Sequence, residues 1–156
     1  MPELIYKSRF IIAIAFAAIL LLSGCSKNPI TAIVSQPSQS LLQQYFEDNI
    51  LNRDFRVELA TDSSAILTPL YTSYTFKLVK NTLQTGPLTA TSSTATYSGT
   101  WTCNDDYSKL VITLPASVPE FSFLTREWRF SKKAVPIMEL APWGTTEPKV
   151  LHMERL

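Results

Sequence analysis

Residues 94–114 read TATYSGTWTCNDDYSKLVITL, and the period of their side chains decides the fold. Over residues 94–103 apolar and polar positions alternate without an error. Ala95, Tyr97, Gly99, Trp101 and Cys103 fall on one side, and Thr94, Thr96, Ser98, Thr100 and Thr102 on the other. Leu110, Ile112 and Leu114 resume the pattern beyond Asn104, Asp105 and Asp106, residues that favour tight turns by bonding their own backbone. A period of two on both arms of a polar turn predicts an antiparallel hairpin with one buried and one wet face.

The same period recurs on either side. Residues 54–59 group Phe55, Val57 and Leu59, residues 74–80 group Tyr74, Phe76 and Leu78, and residues 126–133 set Trp128 and Phe130 against Glu127, Arg129, Ser131 and Lys133. Two final strands are predicted around residues 136–140 and 149–155, flanking APWGTTEP at 141–148. Thr85-Gly86-Pro87 reads as a break, and the proline-rich stretch 115–121 as a connection rather than a central strand. The chain is therefore mainly β, with about eight strands and short connections. A small antiparallel up-and-down barrel closes such a set without exposed edges, and a sandwich is the fallback. One N-terminal helix is predicted over residues 41–51. Ser40 and Gln43 are spaced as a capping box, and Leu42, Phe46 and Ile50, with Leu41 and Tyr45, make its apolar stripe.

Ahead of this domain, residues 10–22 carry no polar side chain, and Lys7 and Arg9 precede them. Thirteen residues make a helix of about 20 Å, against the roughly 30 Å of a bilayer core, so the segment reads as a secretory signal. The order Leu22-Ser23-Gly24-Cys25 resembles the lipobox of bacterial lipoproteins. That resemblance implies removal of residues 1–24, a diacylglyceryl group on the Cys25 sulfur and acylation of the new amine. It also implies a lipid-anchored protein of the bacterial cell envelope. Ser26, where aspartate would retain the protein at the inner membrane, points to the outer membrane, with the periplasmic and surface faces both open. Two or more acyl chains give stable attachment where one is marginal. The alternative is an ordinary cleaved signal. Residues 25–39, with Pro29 and Pro37, read as a lipidated flexible tether averaging about 20 Å on random-coil scaling, and residues 40–156 as the barrel domain.

Loss of residues 1–24 leaves 132 residues, enough for one core. Lys7, Arg9 and Glu3 depart with the signal, so 14 basic and 13 acidic residues become 12 and 12. A neutral chain is a poor nucleic-acid partner, because phosphates demand excess cations. With Cys25 lipidated, Cys103 is the lone cysteine, which excludes a disulfide framework and a cysteine-rich zinc site. It reads as a small core hydrophobe.

Residues 71–76 (YTSYTF), 97–114, 123–130 (FLTREWRF) and 141–156 together resemble the lipocalin-like domains of small bacterial lipoproteins. The resemblance implies a barrel holding a small apolar or amphipathic ligand. In lipocalins the Gly-x-Trp motif lies on the first strand; here Gly99-Thr100-Trp101 stands mid-chain.

Little in the sequence supports catalysis. His152 is the one histidine and alternates with Val150 and Glu154 as a strand-surface residue would. Asp105 and Asp106 are neighbours in a turn, without the roughly 5–10 Å separation of a hydrolytic pair, and the turn is too short for a calcium loop of about 12 residues. Gly86, Gly99 and Gly144 are scattered and form no phosphate cradle. Arg126, Arg129, Lys132 and Lys133 interleave with Trp128, Phe130 and Glu127 as a solvated strand face. No catalytic residue, metal ligand or cofactor is expected.

The remaining candidates are aromatic. Tyr74, Phe76, Tyr97, Trp101, Trp128 and Phe130 lie on apolar faces, where in a barrel they line a cavity or fill the core. Trp143, between Pro142 and Gly144, is a candidate loop contact or a plug for one mouth. Two functions follow. A binding barrel has an internal cavity entered from the 141–148 end. An interaction module has a packed bore and meets an envelope protein or glycan through Trp143 and the threonine face of residues 94–102.

Overall fold

The computed structural model describes residues 41–156. The expected signal peptide, Cys25, the expected tether and Ser40 of the expected capping box lie outside the described residues. The chain runs α1 (Leu41–Asn49), β1 (Asp54–Asp62), β2 (Ala65–Ile66), a 3-10 turn (Thr68–Tyr71), β3 (Thr75–Leu78), β4 (Thr85–Thr91) and β5 (Thr96–Cys103). It continues through β6 (Lys109–Thr113), α2 (Phe121–Leu124), β7 (Arg126–Lys133), β8 (Ile137–Pro142) and β9 (Lys149–Arg155).

Eight of these strands form a closed, antiparallel up-and-down barrel, and the two-residue β2 is an extra strand on β1. Each strand from β3 onward pairs with the next. Closure comes from β1 against β9, in register from Phe55↔Arg155 to Asp62↔Lys149. The hairpin read from residues 94–114 is present, with Trp101 opposite Ile112 and Cys103 opposite Leu110. Asn104 Oδ1 caps its turn by accepting from the N–H groups of Ser108 (3.1 Å) and Lys109 (2.8 Å). The core is apolar throughout, with Phe55, Phe76, Leu88, Trp101, Leu110, Trp128 and Leu151 buried.

Several expectations are corrected by local geometry. The helix stops at Asn49 rather than residue 51, because the N–H groups of Ile50 and Leu51 both donate to Phe46 O (3.0 Å each). Asn52, at φ 59°, then turns the chain into β1. A bulge between Val57 and Leu59 shifts the inward face, so Ala60 is buried and Leu59 is only half-buried. β3 begins after Tyr74, whose N–H closes the preceding turn on Tyr71 O (3.0 Å). β8 takes in Ala141 and Pro142 from the expected connection.

The largest correction is β4, which runs straight through Gly86 and Pro87. Val79 N–H donates to Pro87 O at 2.8 Å. Two residues so paired normally exchange both backbone bonds, but proline has no N–H to return. Val79 O is satisfied instead by the indole Nε1–H of Trp101, at 2.9 Å. The carbonyl reaches the indole by lying over Gly86, where a Cβ would come within 2.0 Å of it. Glycine and proline therefore fit inside this strand because a side chain has taken over one rung of its ladder.

Candidate functional site

The two mouths of the barrel are the natural places for a ligand, and both are filled. At one end the connections 50–53, 79–84, 104–108 and 134–136 surround α1. Phe46 drops from α1 into the bore, with ring centroids 5.5 Å from Trp101, 5.3 Å from Tyr107 and 6.1 Å from Phe130. The helix is held by Tyr45 Oη–H to Ala134 O (3.2 Å), by Arg155 Nη1 to Asn49 Oδ1 (3.1 Å) and by an ion pair between Lys80 and Glu47.

At the other end the connection between β6 and β7 folds inward. Gly99 lets the end of β6 lie close to β5 where this connection begins, since a Cβ there would lie 2.1 Å from Thr113 O. The single turn of α2 delivers Phe121 against Tyr74 (5.2 Å), Tyr97 (5.3 Å) and Phe76 (6.5 Å). Phe123 meets Trp128 at 5.6 Å and Tyr71 at 6.4 Å. Tyr71 Oη–H donates to Glu120 O (2.7 Å) and Tyr74 Oη–H to Glu120 Oε1 (3.1 Å), which ties α2 to the wall. Burial, with the Glu120 carboxylate adding to it, pushes the Tyr71 phenol up to about 12.

Each expected aromatic has a definite place. Phe76, Trp101 and Trp128 are fully buried, and Trp128 Nε1–H donates to Leu124 O at 3.0 Å. Tyr74, Tyr97 and Phe130 are partly buried and pack against the same core. The six are divided between the two mouths: Trp101 and Phe130 stand at the α1 end, and Tyr74, Phe76, Tyr97 and Trp128 at the α2 end. Trp143 enters neither mouth. It lies half-buried on the outer wall, its N–H bonded to Glu127 O (3.0 Å) and its ring 5.5 Å from Lys109 Nζ.

Surface recesses also open among the described residues. One of about 260 Å³ lies within the β6–β7 connection, between Leu114, Pro115, Val118, Phe121 and Thr125. Another, of about 320 Å³, lies against Arg56, Val57, Glu58 and Thr72. It marks a seam in the wall, where β1 and β3 share only the pairs Asp54↔Lys77 and Phe55↔Phe76.

Polar candidates are dispersed. His152 points outward, its Nδ1 4.0 Å from Glu58 Oε2. Asp106 Oδ1 accepts from Ser108 N (3.0 Å) and Oγ (2.6 Å), a turn contact. Arg126 is half-buried, donating from Nε to Phe123 O (2.7 Å) beneath the rings of Phe123 and Trp128. Cys103 is half-buried, its thiol 3.5 Å from Leu83 O and pushed up to about 11 by burial, with the Asp105 carboxylate adding to it. Among the described residues no three His, Cys, Asp or Glu side chains gather where a metal could sit, and no helix is long and apolar enough to cross a membrane.

Of the plugging residues, the sequence places Phe46 on the apolar stripe of the helix and gives Tyr107, Phe121 and Phe123 no role. The available signal was Phe121-x-Phe123 beside a short proline-rich stretch, a spacing that does not say what the rings cover. Comparison with known proteins finds no family model, no curated protein and no solved structure that matches this chain.

Proposed function

We infer that this chain is a non-enzymatic lipoprotein of the bacterial envelope, anchored through acylated Cys25 at the outer membrane, whose barrel meets an envelope protein or glycan through its outer surface. Support for the anchor is the lipobox order Leu22-Ser23-Gly24-Cys25. The observation that carries the surface reading is the filled bore. Phe46 and Phe121 enter from opposite mouths and each touches three aromatic rings, leaving wall and plug in contact where a ligand would lie.

A second reading keeps the small apolar ligand but moves it. The recess of about 260 Å³ in the β6–β7 connection is close to the roughly 300 Å³ lower bound of small-molecule sites. Its lining of Leu114, Pro115, Val118 and Phe121 suits an apolar molecule.

Two measurements on the full chain test these readings. Cys25→Ser is expected to abolish incorporation of labelled fatty acid and to release the protein from the membrane fraction; retained labelling would sink the anchor. Native mass spectrometry of the purified protein is expected to show no bound small molecule. A stoichiometric apolar adduct lost in Val118→Trp would replace the surface reading with the ligand reading.

A further inference from the structure

The barrel exterior is divided. From Asn81 to Asn104 the chain has 24 residues without one Asp, Glu, Lys or Arg, in a protein where such residues make up 17% of the sequence. This stretch is the β4–β5 hairpin with its flanking turns. The ion pairs of the wall lie off this hairpin: Lys77–Asp54, whose Lys77 stands opposite Thr89 and bounds the face on β3, then Arg56–Glu154, Lys109–Glu127, Lys132–Glu139 and Lys149–Asp62. Soluble surfaces ordinarily carry about 25–35% charged residues with signs interspersed, so an uncharged face two strands wide is a departure that β-propensity alone does not require.

Register turns this composition into a surface. Thr85 stands opposite Thr102, Pro87 opposite Thr100, Thr89 opposite Ser98 and Thr91 opposite Thr96. Their neighbours Gly86, Leu88, Ala90 and Trp101 face the bore, so all eight of these side chains face out. Seven are hydroxyls, in two rows about 4.8 Å apart with about 6.7 Å between successive positions. Thr113, opposite Thr100, extends the grid onto β6, and Thr75, opposite Thr91, extends it onto β3. Thr94, in the turn, belongs with Ser92 rather than with the rows (Oγ to Oγ1 3.4 Å).

We propose that this face binds a neutral, hydroxyl-rich polysaccharide. The proposal rests on the reading of the barrel as a surface-acting envelope module and supplies its partner. The match is one of charge and hydrogen-bonding type. Each threonine offers one donor and two acceptor lone pairs, as a sugar hydroxyl does, and on the rows of β4 and β5 an uncharged polymer meets no charge that it would have to desolvate. Other partners fit less well. Nucleic acid needs phosphate-neutralising cations, and protein interfaces centre on buried Trp, Tyr or Arg anchors. A membrane surface favours exposed apolar and basic residues. The eight outward positions supply none of these. Contacts of this kind are individually weak, so retention depends on a repeating ligand engaging several hydroxyls of the two rows at once.

The test is co-sedimentation of the detergent-solubilised full chain with two insoluble neutral polymers, chitin and cellulose. Retention on at least one polymer, undiminished by high salt, is expected. Thr100→Lys places a charge at the centre of the grid, and retention is expected to fall about tenfold, because an ammonium against a neutral polymer has no counter-charge. Ser131→Lys, at an exposed position of β7 two strands from β5 and outside the grid, is expected to bind as wild type. Near-ultraviolet circular dichroism from the buried tryptophans establishes that each variant is folded. Absence of retention on both polymers overturns the proposal, as does retention lost in high salt or equal retention of Thr100→Lys. Concentration-dependent self-association abolished by Thr100→Lys also overturns it, in favour of a second copy of the chain. None of these outcomes bears on the bound-ligand measurement, so the glycan and the surface-acting module fail separately.

Discussion

The indole N–H of Trp101 donates to Val79 O at 2.9 Å, in the rung that Pro87 leaves open. Three residues 7 to 22 positions from Val79 therefore depend on one carbonyl: Gly86 lets it lie inward, Pro87 does not compete for it, and Trp101 satisfies it.

Removing the donor strands that carbonyl. Trp101→Phe is expected to lower stability by about 1–3 kcal/mol for the unsatisfied group, beyond the loss from the smaller ring, measured as a shift in urea midpoint. Pro87→Ala returns a backbone N–H to the open rung. In the Trp101→Phe background it is expected to recover part of the loss, while in wild type it has little effect. Strictly additive effects would show that the indole and the proline are not coupled.

The two plugs share no ring partner. Phe46 meets Trp101, Tyr107 and Phe130, whereas Phe121 meets Tyr74, Phe76 and Tyr97. Phe46→Ala and Phe121→Ala are each expected to cost about 3–5 kcal/mol. Separated sites of this kind add within about 0.5 kcal/mol, and a larger coupling energy in the double variant would mean that the mouths communicate through the bore.

Tryptophan emission reads the packing directly. Trp101 and Trp128 are fully buried, and Trp143 is half-exposed on the outer wall. Acrylamide is expected to quench one of the three, and Trp143→Phe is expected to remove the quenchable fraction. Quenching that persists in this variant would mean an interior open to small molecules.

Alkaline stability follows chiefly from the two most strongly raised acids. Cys103 rises from 9.0 to about 11 and Tyr71 from 10.0 to about 12, both chiefly through burial. The folded protein keeps these protons after the unfolded chain has lost them, so stability is intact below about pH 9 and declines as pH rises toward 12. Thermal midpoints taken from pH 7 to 12 are expected to show the fall. Cys103→Ala is expected to remove its earlier part, between pH 9 and 11, and an unchanged profile in that variant would contradict the assignment.

The barrel was legible where each strand keeps one wet face, because alternation then records the wall directly. β5, β6, β7 and β9 are of this kind, and their bounds lie within a residue or two of the structure. β4 alternates too, with Thr85, Thr89 and Thr91 outward and Leu88 and Ala90 inward, but Gly86 and Pro87 outweighed the pattern. Their tolerance depends on Trp101, which is 14 residues from Pro87 in sequence and directly across the ladder from Gly86. The plugs were hidden for a similar reason. Nothing local to Phe121 distinguishes a ring that caps a mouth from one that packs under a loop. A filled bore is a property of the closed barrel, which no single stretch of the chain carries.

The register that closes the wall also sets an order of events. β1 takes its longest pairing from β9, with Arg56 opposite Glu154 and Asp62 opposite Lys149, and has only two pairs with β3. Contacts between such distant parts of a chain form late, after the loops between them have been closed. Until residues 149–155 arrive, β1 and β8 are open edges of a curled sheet and the bore is wet. β9 is the last of the barrel's strands in chain order, so a chain made from its N-terminus holds the other seven before the strand that can close them is available.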